Sequence, residues 1–333
     1  MVPARGLVVT GRETRTTKTG GPKIRTHHPP PPKPDEDNYP GDVVLYAGRL
    51  SPTDKVVIAY LGVVAALVVI SRGNIKQWWL VVSAHAIVAV LLVTASRIRV
   101  SRATNFARAW YPLVLMPLSF KELTYLIPLI HPRDFDWELA SIDYRMFSLH
   151  PTVWLERFTH PLITELLQLS YITYYFMPLL LGIVLWREHR FERFHFVLFV
   201  IVLGFYLSYL GYITVPAIGP RFILADQQTI PLTGVWSFSW IRTTLDRAEG
   251  ITRDCFPSGH TELTVLVLYY ARRYKLRVFW GMLPAGIALI ISTVYLRYHY
   301  VIDVIAGVLL AVIVIALSRI LYRIIGGLQE NGN

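Results

Sequence analysis

Two histidines, 39 residues apart, sit in the segments of this chain best suited to chemistry. The first is in Arg253-Asp-Cys-Phe-Pro-Ser-Gly-His260-Thr-Glu262, where a polar loop gives way to an apolar stretch. Pro257 lacks an amide proton and suits a first helical turn, with Ser258, Gly259 and His260 in or beside it. Unpaired N–H groups and the positive end of a helix dipole favour an anion there, phosphate above all. Gly259 would let a ligand come close to the backbone. His260 would set a proton donor beside it. The plain alternative is a Pro-Ser helix start with an incidental histidine, because four-residue patterns recur by chance. The second segment reads Ser292-Thr-Val-Tyr-Leu-Arg-Tyr-His299-Tyr-Val-Ile-Asp303. On a helix, His299 and Asp303 would share a face. A carboxylate there can accept the Nδ1–H, fix the tautomer and leave Nε2 free as a nucleophile. The alternative is an Asp that caps the last helix beside an interfacial His.

Arg221 follows Pro216-Ala-Ile-Gly-Pro220, where prolines halt a helix. Its guanidinium would offer a fixed fork to phosphate oxygens, and a headgroup-facing Arg at a helix end is the competing reading. Arg297 stands two residues before His299, so it reaches the same site only if the helix ends or bends there. Glu262 fits a first-turn acid better than a catalytic one. Cys255 is the one cysteine, which excludes an internal disulfide and a cysteine-built zinc site. No metal-ligand spacing is present, so neither a metal nor a cofactor is expected.

The elements that must carry these residues are membrane helices. Of 333 residues, 53% are hydrophobic and 17% charged, and the apolar ones come in long blocks. Eight spans are expected, at about 55–71, 77–95, 109–130, 162–186, 194–216, 258–272, 278–297 and 302–321. The fold class is therefore all-α, a polytopic membrane helical bundle. Ser51-Pro52-Thr-Asp54 marks the first helix start. His85 lies in span two with no visible partner, which favours packing or an interhelical hydrogen bond over function. Lys121-Glu122 interrupts span three and would flank a break or face the bundle. Residues 131–161 interleave aromatics with charges, as interfacial helices do. Asp143, Arg145, His150, Arg157 and His160 there read mostly as a solvated face. Residues 1–50, with His27-His28 and a proline run, read as a disordered tail.

The +11 formal charge flanks the apolar blocks, which speaks for membrane topology and against nucleic acid. With a cytoplasmic N-terminus, the inner connections hold 11 Lys and Arg in 27 residues and the outer ones 10 in 83. That orientation puts both termini in the cytoplasm. It puts Arg221, His260, His299 and Asp303 together at the outer face, the cell membrane being the expected location.

Residues 110–320 resemble the type-2 phosphatidic acid phosphatase superfamily, whose motifs read Lys-x6-Arg-Pro, Pro-Ser-Gly-His and Ser-Arg-x5-His-x3-Asp. Pro257-Ser258-Gly259-His260 matches the middle motif, and Ser292, His299 and Asp303 match the last. Thr293 replaces the family Arg. Arg221 matches the first motif alone, with Thr214 and Phe222 in place of its Lys and Pro. These departures, and the stretch from Asp143 through Pro151 to Tyr175, are closer to inositol phosphorylceramide synthases and their prokaryotic relatives. The resemblance implies a six-span phosphatase-type core within residues 109–325, preceded by two extra spans in 51–108. It also implies a metal-independent enzyme with a phosphohistidine intermediate. His299 would be the nucleophile oriented by Asp303, and His260 the acid and base. Arg221, Ser258 and Gly259 would hold phosphate, with Arg297 standing in for the missing Arg. The substrate would be a lipid phosphate or phosphodiester among membrane lipids, with water or an alcohol as acceptor. A non-enzymatic lipid-phosphate-binding or transport protein on the same scaffold is the alternative.

Overall fold

The structure is a computed structural model that describes residues 46, 48–98, 101–250 and 253–327. The basic, Pro-rich stretch with His27 and His28 lies outside the described residues. Thirteen α-helices and no strand occur among the described residues. α1 (Pro52–Ile70) and α2 (Trp78–Arg97) form a hairpin, and α3 (Arg102–Trp110) runs into α4 (Pro112–Ile130). α5 (Asp136–Phe147) and α6 (Pro151–Trp154) lead through a 3₁₀ turn to α7 (Pro161–Arg187) and α8 (Phe191–Thr214). The short α9 (Pro220–Ile223) and α10 (Phe238–Glu249) precede α11 (Gly259–Tyr274), α12 (Leu276–Tyr295) and α13 (Val301–Ile324).

Seven helical segments are long and apolar enough to cross a membrane: α1, α2, α3 with α4, α7, α8, α12 and α13. The chain is a polytopic helical membrane bundle. The eighth expected span, α11, has 16 residues. At 1.5 Å each that is about 24 Å, short of a hydrocarbon core of about 30 Å. It packs centrally, against α7, α8, α12 and α13. Its first turn therefore starts inside the bundle, under a cap of loops.

Local signals set several boundaries. Ser51 accepts from the Asp54 amide at 3.1 Å while Asp54 accepts from the Ser51 amide at 2.8 Å, a capping box with Pro52 in the first turn. Of the two readings of Lys121-Glu122, a flanked break and a bundle-facing position, no break occurs, since α4 runs through both residues. The interruption sits instead at Tyr111-Pro112, where the proline lacks an amide to extend α3.

Glu122 faces the bundle and supplies the partner that His85 lacks in the sequence. His85 Nε2 meets both Glu122 oxygens at 2.9 and 3.0 Å, and Nδ1 lies 3.1 Å from the Leu61 carbonyl. α1, α2 and α4 are thus joined by polar groups in an apolar setting. Glu122→Ala would leave His85 Nε2 without a partner and is expected to cost about 3 kcal/mol. Glu122→Gln keeps one hydrogen bond and is expected to cost about 1 kcal/mol. Thermal unfolding in detergent reads both. Losses no larger than that of a lipid-facing control, Val90→Ala, would mean the pair contributes nothing.

Candidate active site

The site forms where the ends of α8 and α12 meet the starts of α11 and α13. α12 stops in a Schellman arrangement. Arg297 N–H donates to the Val294 carbonyl at 3.0 Å and Tyr298 N–H to the Thr293 carbonyl at 2.9 Å. Arg297 takes φ 66°, a left-handed position where glycine is usual and an arginine is strained. The turn throws its side chain back over the site. His299 therefore lies in a connecting turn rather than on a helix with Asp303. Asp303 sits in the first turn of α13 and accepts from the Tyr300 amide at 2.8 Å.

This geometry revises the expected dyad. His299 Nδ1 lies 2.9 Å from the Cys255 carbonyl but 3.6 Å from Asp303 Oδ2, beyond a good hydrogen bond. The carbonyl can only accept, so Nδ1 carries a proton, and in the neutral ring the lone pair is on Nε2. Asp303 supplies charge behind the ring and accepts from the Cys255 thiol at 3.0 Å. Burial, with Asp303 beside it, pushes the Cys255 thiol well above its usual range, so it stays protonated as that donor. Cys255, set aside in the sequence, thus touches His299 through its carbonyl and Asp303 through its sulfur. Cys255 Sγ, His299 Nδ1 and Asp303 are the candidate metal donors, within 4.8 Å of one another. Nδ1 is already directed at the carbonyl, so no metal is assigned to them.

α11 begins one residue later than the sequence suggests. Ser258 is its N-cap and accepts from the Thr261 amide at 3.3 Å, so Pro257 precedes the helix. Ser258 and Gly259 are both buried, and neither is in the lining of the cavity that His260 and His299 border. The close approach that Gly259 permits is by Tyr212, whose hydroxyl a Cβ would strike. His260, on the same turn, does reach the site. Its ring stacks on Tyr171 at 4.5 Å and leans on Tyr174 at 4.2 Å, and its Nδ1 lies 3.5 Å from His299 Nε2. Its Nε2 is buried without a hydrogen-bond partner.

A cavity of about 50 Å³ is lined by Arg221, Arg297, His260, His299, Asp246 and Asp254, among others. Arg221 donates to Asp246 of α10 at 2.9 Å, and its backbone amide donates to the Arg297 carbonyl at 3.1 Å. Arg297 is 8% exposed and pairs with Glu156 at 2.8 Å and the Ile230 carbonyl at 2.6 Å. Its Nε has no partner. Thr293, at the position of the family Arg, donates to its own helix at the Ile290 carbonyl. The structure thus gathers Arg221, His260, Arg297 and His299 at one cavity. Asp303, Ser258 and Gly259 lie behind it.

Asp143, read from the sequence as part of a mostly solvated face, proves to be a support, and so does Asp136, which the sequence did not single out. Asp136 and Asp143, both 1% exposed, share one face of α5. Asp136 accepts from the Ile218 and Gly219 amides at 3.0 and 2.8 Å and from the Tyr300 hydroxyl at 3.1 Å. Asp143 accepts from the Val301 and Ile302 amides at 2.8 and 2.9 Å. Together they hold the Arg221 loop and the His299 turn. Burial raises the Asp143 carboxyl to about 6, against the pull of those two amides. Protonation therefore favours the folded form, and this group's contribution falls as pH rises from about 4 to about 6. Asn offers one acceptor for two amides, so Asp143→Asn is expected to cost about 2 kcal/mol. The deficit against wild type should be larger at pH 4.5 than at pH 7.5. Thermal unfolding at both pH values checks this, and the reverse order would contradict it.

Comparison with known proteins follows the geometry. The PAP2 superfamily matches residues 137–317, more than half of the chain and all of the site. A PA-phosphatase related-family protein of Dictyostelium discoideum is 29% identical over 184 residues, 46% of this chain. That match spans 31% of the relative, about a third of its length. No solved structure matches the chain. The match over 137–317 takes in both histidine segments and Asp143 of α5, and this membrane bundle belongs to the PAP2 superfamily.

Proposed function

We propose that the protein is a lipid phosphatase or lipid headgroup phosphotransferase acting at the outer membrane face through a phosphohistidine. One observation carries this reading. His299 Nε2 and His260 Nδ1 face each other across 3.5 Å in a cavity bordered by two guanidiniums, Arg221 and Arg297. The His299 Nε2 lone pair attacks phosphorus and the P–O bond to the lipid alcohol breaks. His260 delivers a proton to the departing oxygen, then takes one from the acceptor that attacks the phosphoryl-histidine. Arg221 and Arg297 stabilise charge on the phosphoryl oxygens. Asp303 stabilises the imidazolium that forms. Water as acceptor makes a phosphatase and an alcohol makes a transferase.

The 3.5 Å gap leaves no room for a phosphoryl group, so the described state is closed. Loading requires the rings to part and Arg221 to exchange the Asp246 carboxylate for phosphate. Ser258 and Gly259 act by fixing the first turn under His260. The basic bias of the inner connections supports an outer-face site. The inositol phosphorylceramide synthase-like branch is favoured by Thr293 and Phe222 at the departures from the family motifs.

The test is a panel of lipid phosphates and phosphodiesters, with and without alcohol acceptors, offered to detergent-purified protein. Phosphate release identifies a phosphatase, and a new phosphodiester formed only with alcohol identifies a transferase. Lipid binding without turnover across the panel would overturn the reading in favour of a non-enzymatic scaffold.

A further inference from the structure

A second cavity, of about 550 Å³, opens beside the first, between the end of α5, α6, the following 3₁₀ turn and residues 227–230. That is the size of a small-molecule site, whereas about 50 Å³ holds a few water-sized groups at most. Its polar lining is Tyr144, Ser148, His150, Arg157 and Gln227, with Trp154 as an aromatic wall and no acidic side chain. Arg157 donates through Nε to the Trp154 carbonyl at 3.2 Å, and its guanidinium lies 4.7 Å from the Trp154 ring centre. It takes part in no ion pair among the described residues. His150 Nδ1 is buried and has no hydrogen-bond partner. A pocket lined by a guanidinium without an ion-pair partner among the described residues, an unpartnered imidazole nitrogen and no carboxylate suits an anion; the neighbouring Glu156 carboxylate is taken by Arg297. Phe147, which precedes Ser148, and Phe158, which packs edge-on against Trp154, are exposed, as aromatic residues at headgroup depth are.

The two cavities share a wall. Glu156 accepts from the Thr229 amide at 3.2 Å and from Arg297 at 2.8 Å. Gln228 and the Ile230 carbonyl also accept from Arg297. Gln227 and Ile230 line the outer pocket, while Arg297 lines the inner one. We infer that the outer pocket binds a phosphate-bearing headgroup other than the reacting phosphoryl, and that its occupancy is coupled through residues 227–230 and Glu156 to Arg297. Coupling of this kind is reciprocal, so an anionic headgroup in the outer pocket favours substrate in the inner one. The coupling rests on the catalytic reading above. The binding does not.

The binding arm uses His299→Ala protein in nanodiscs of phosphatidylcholine containing phosphatidylglycerol, with retained lipid counted by native mass spectrometry. The expected result is at least one phosphatidylglycerol more than in the same protein carrying His150→Gln and Arg157→Gln. Equal retention would overturn the site. A parallel arm adds inorganic phosphate. Displacement of the lipid by millimolar phosphate would assign the pocket to free phosphate, and no displacement to a lipid headgroup; both keep the anion chemistry. The turnover arm uses His299-intact protein. Phosphatidylglycerol should raise kcat/KM about fivefold, and His150→Gln with Arg157→Gln should abolish the rise while leaving turnover in phosphatidylcholine alone within twofold. A rise that survives both substitutions would overturn the coupling. Loss of all turnover only in His299→Ala, with no lipid effect, would uphold the catalytic reading and sink this one.

Discussion

His299→Ala is expected to lower lipid phosphate turnover by at least about a thousandfold without unfolding the protein. On the proposed mechanism His299 is the nucleophile, and removing a nucleophile from a site whose parts act as a unit costs this much or more. The fold should tolerate it, because the ring's Nδ1 contact is to a backbone carbonyl and the Asp303 carboxylate keeps its bonds from the Tyr300 amide and the Cys255 thiol. Thermal unfolding in detergent serves as the folding check. A folded His299→Ala protein with near-wild-type turnover would remove the nucleophile from the mechanism. Asp303→Asn should be gentler, since Asp303 acts across 3.6 Å as charge rather than as a hydrogen-bond partner.

Arg297 carries the second large effect. On the proposed mechanism Arg297→Ala is expected to lower kcat by about 10²–10³-fold, the usual cost of losing one donor to a charged transition state. Arg297→Lys keeps a positive charge for Glu156 but lacks the planar fork that reaches Glu156, the Ile230 carbonyl and the cavity at once. It should fold like wild type and still lose about 10–100-fold in kcat/KM. The lysine variant matters because alanine would also leave Glu156 buried beside its Thr229 and Ile230 contacts without a cation. Steady-state kinetics with melting curves separate the two causes. Full activity in a folded Arg297→Lys protein would mean that Arg297 only ties the loop down.

What the sequence made legible was local. The capping box at Ser51, the spans and the two histidine segments depend on residues a few positions apart, where periodicity and spacing carry information. The partnerships that complete the site are long-range. Asp143 meets Val301 across 158 residues, and Glu156 meets Arg297 across 141. An interfacial amphipathic helix and one that buries two carboxylates look alike in sequence, so α5 read as interfacial and Asp143 as part of a solvated face. Arg297 turned on a helix end that ordinary signals do not announce, because its left-handed position holds an arginine where glycine is the marker. The same limit hid the Glu122 partner of His85, which sits on a helix 37 residues away. The Asp303 role shifted because the chain between His299 and Asp303 is a turn and a helix start, not one helix.

The most direct test of the mechanism is the stereochemical course at phosphorus. A lipid phosphate made chiral at phosphorus with oxygen isotopes would be used to phosphorylate an alcohol acceptor. Two successive in-line displacements, onto His299 and then onto the acceptor, predict net retention of configuration. Net inversion would show a single direct displacement and would contradict the phosphohistidine.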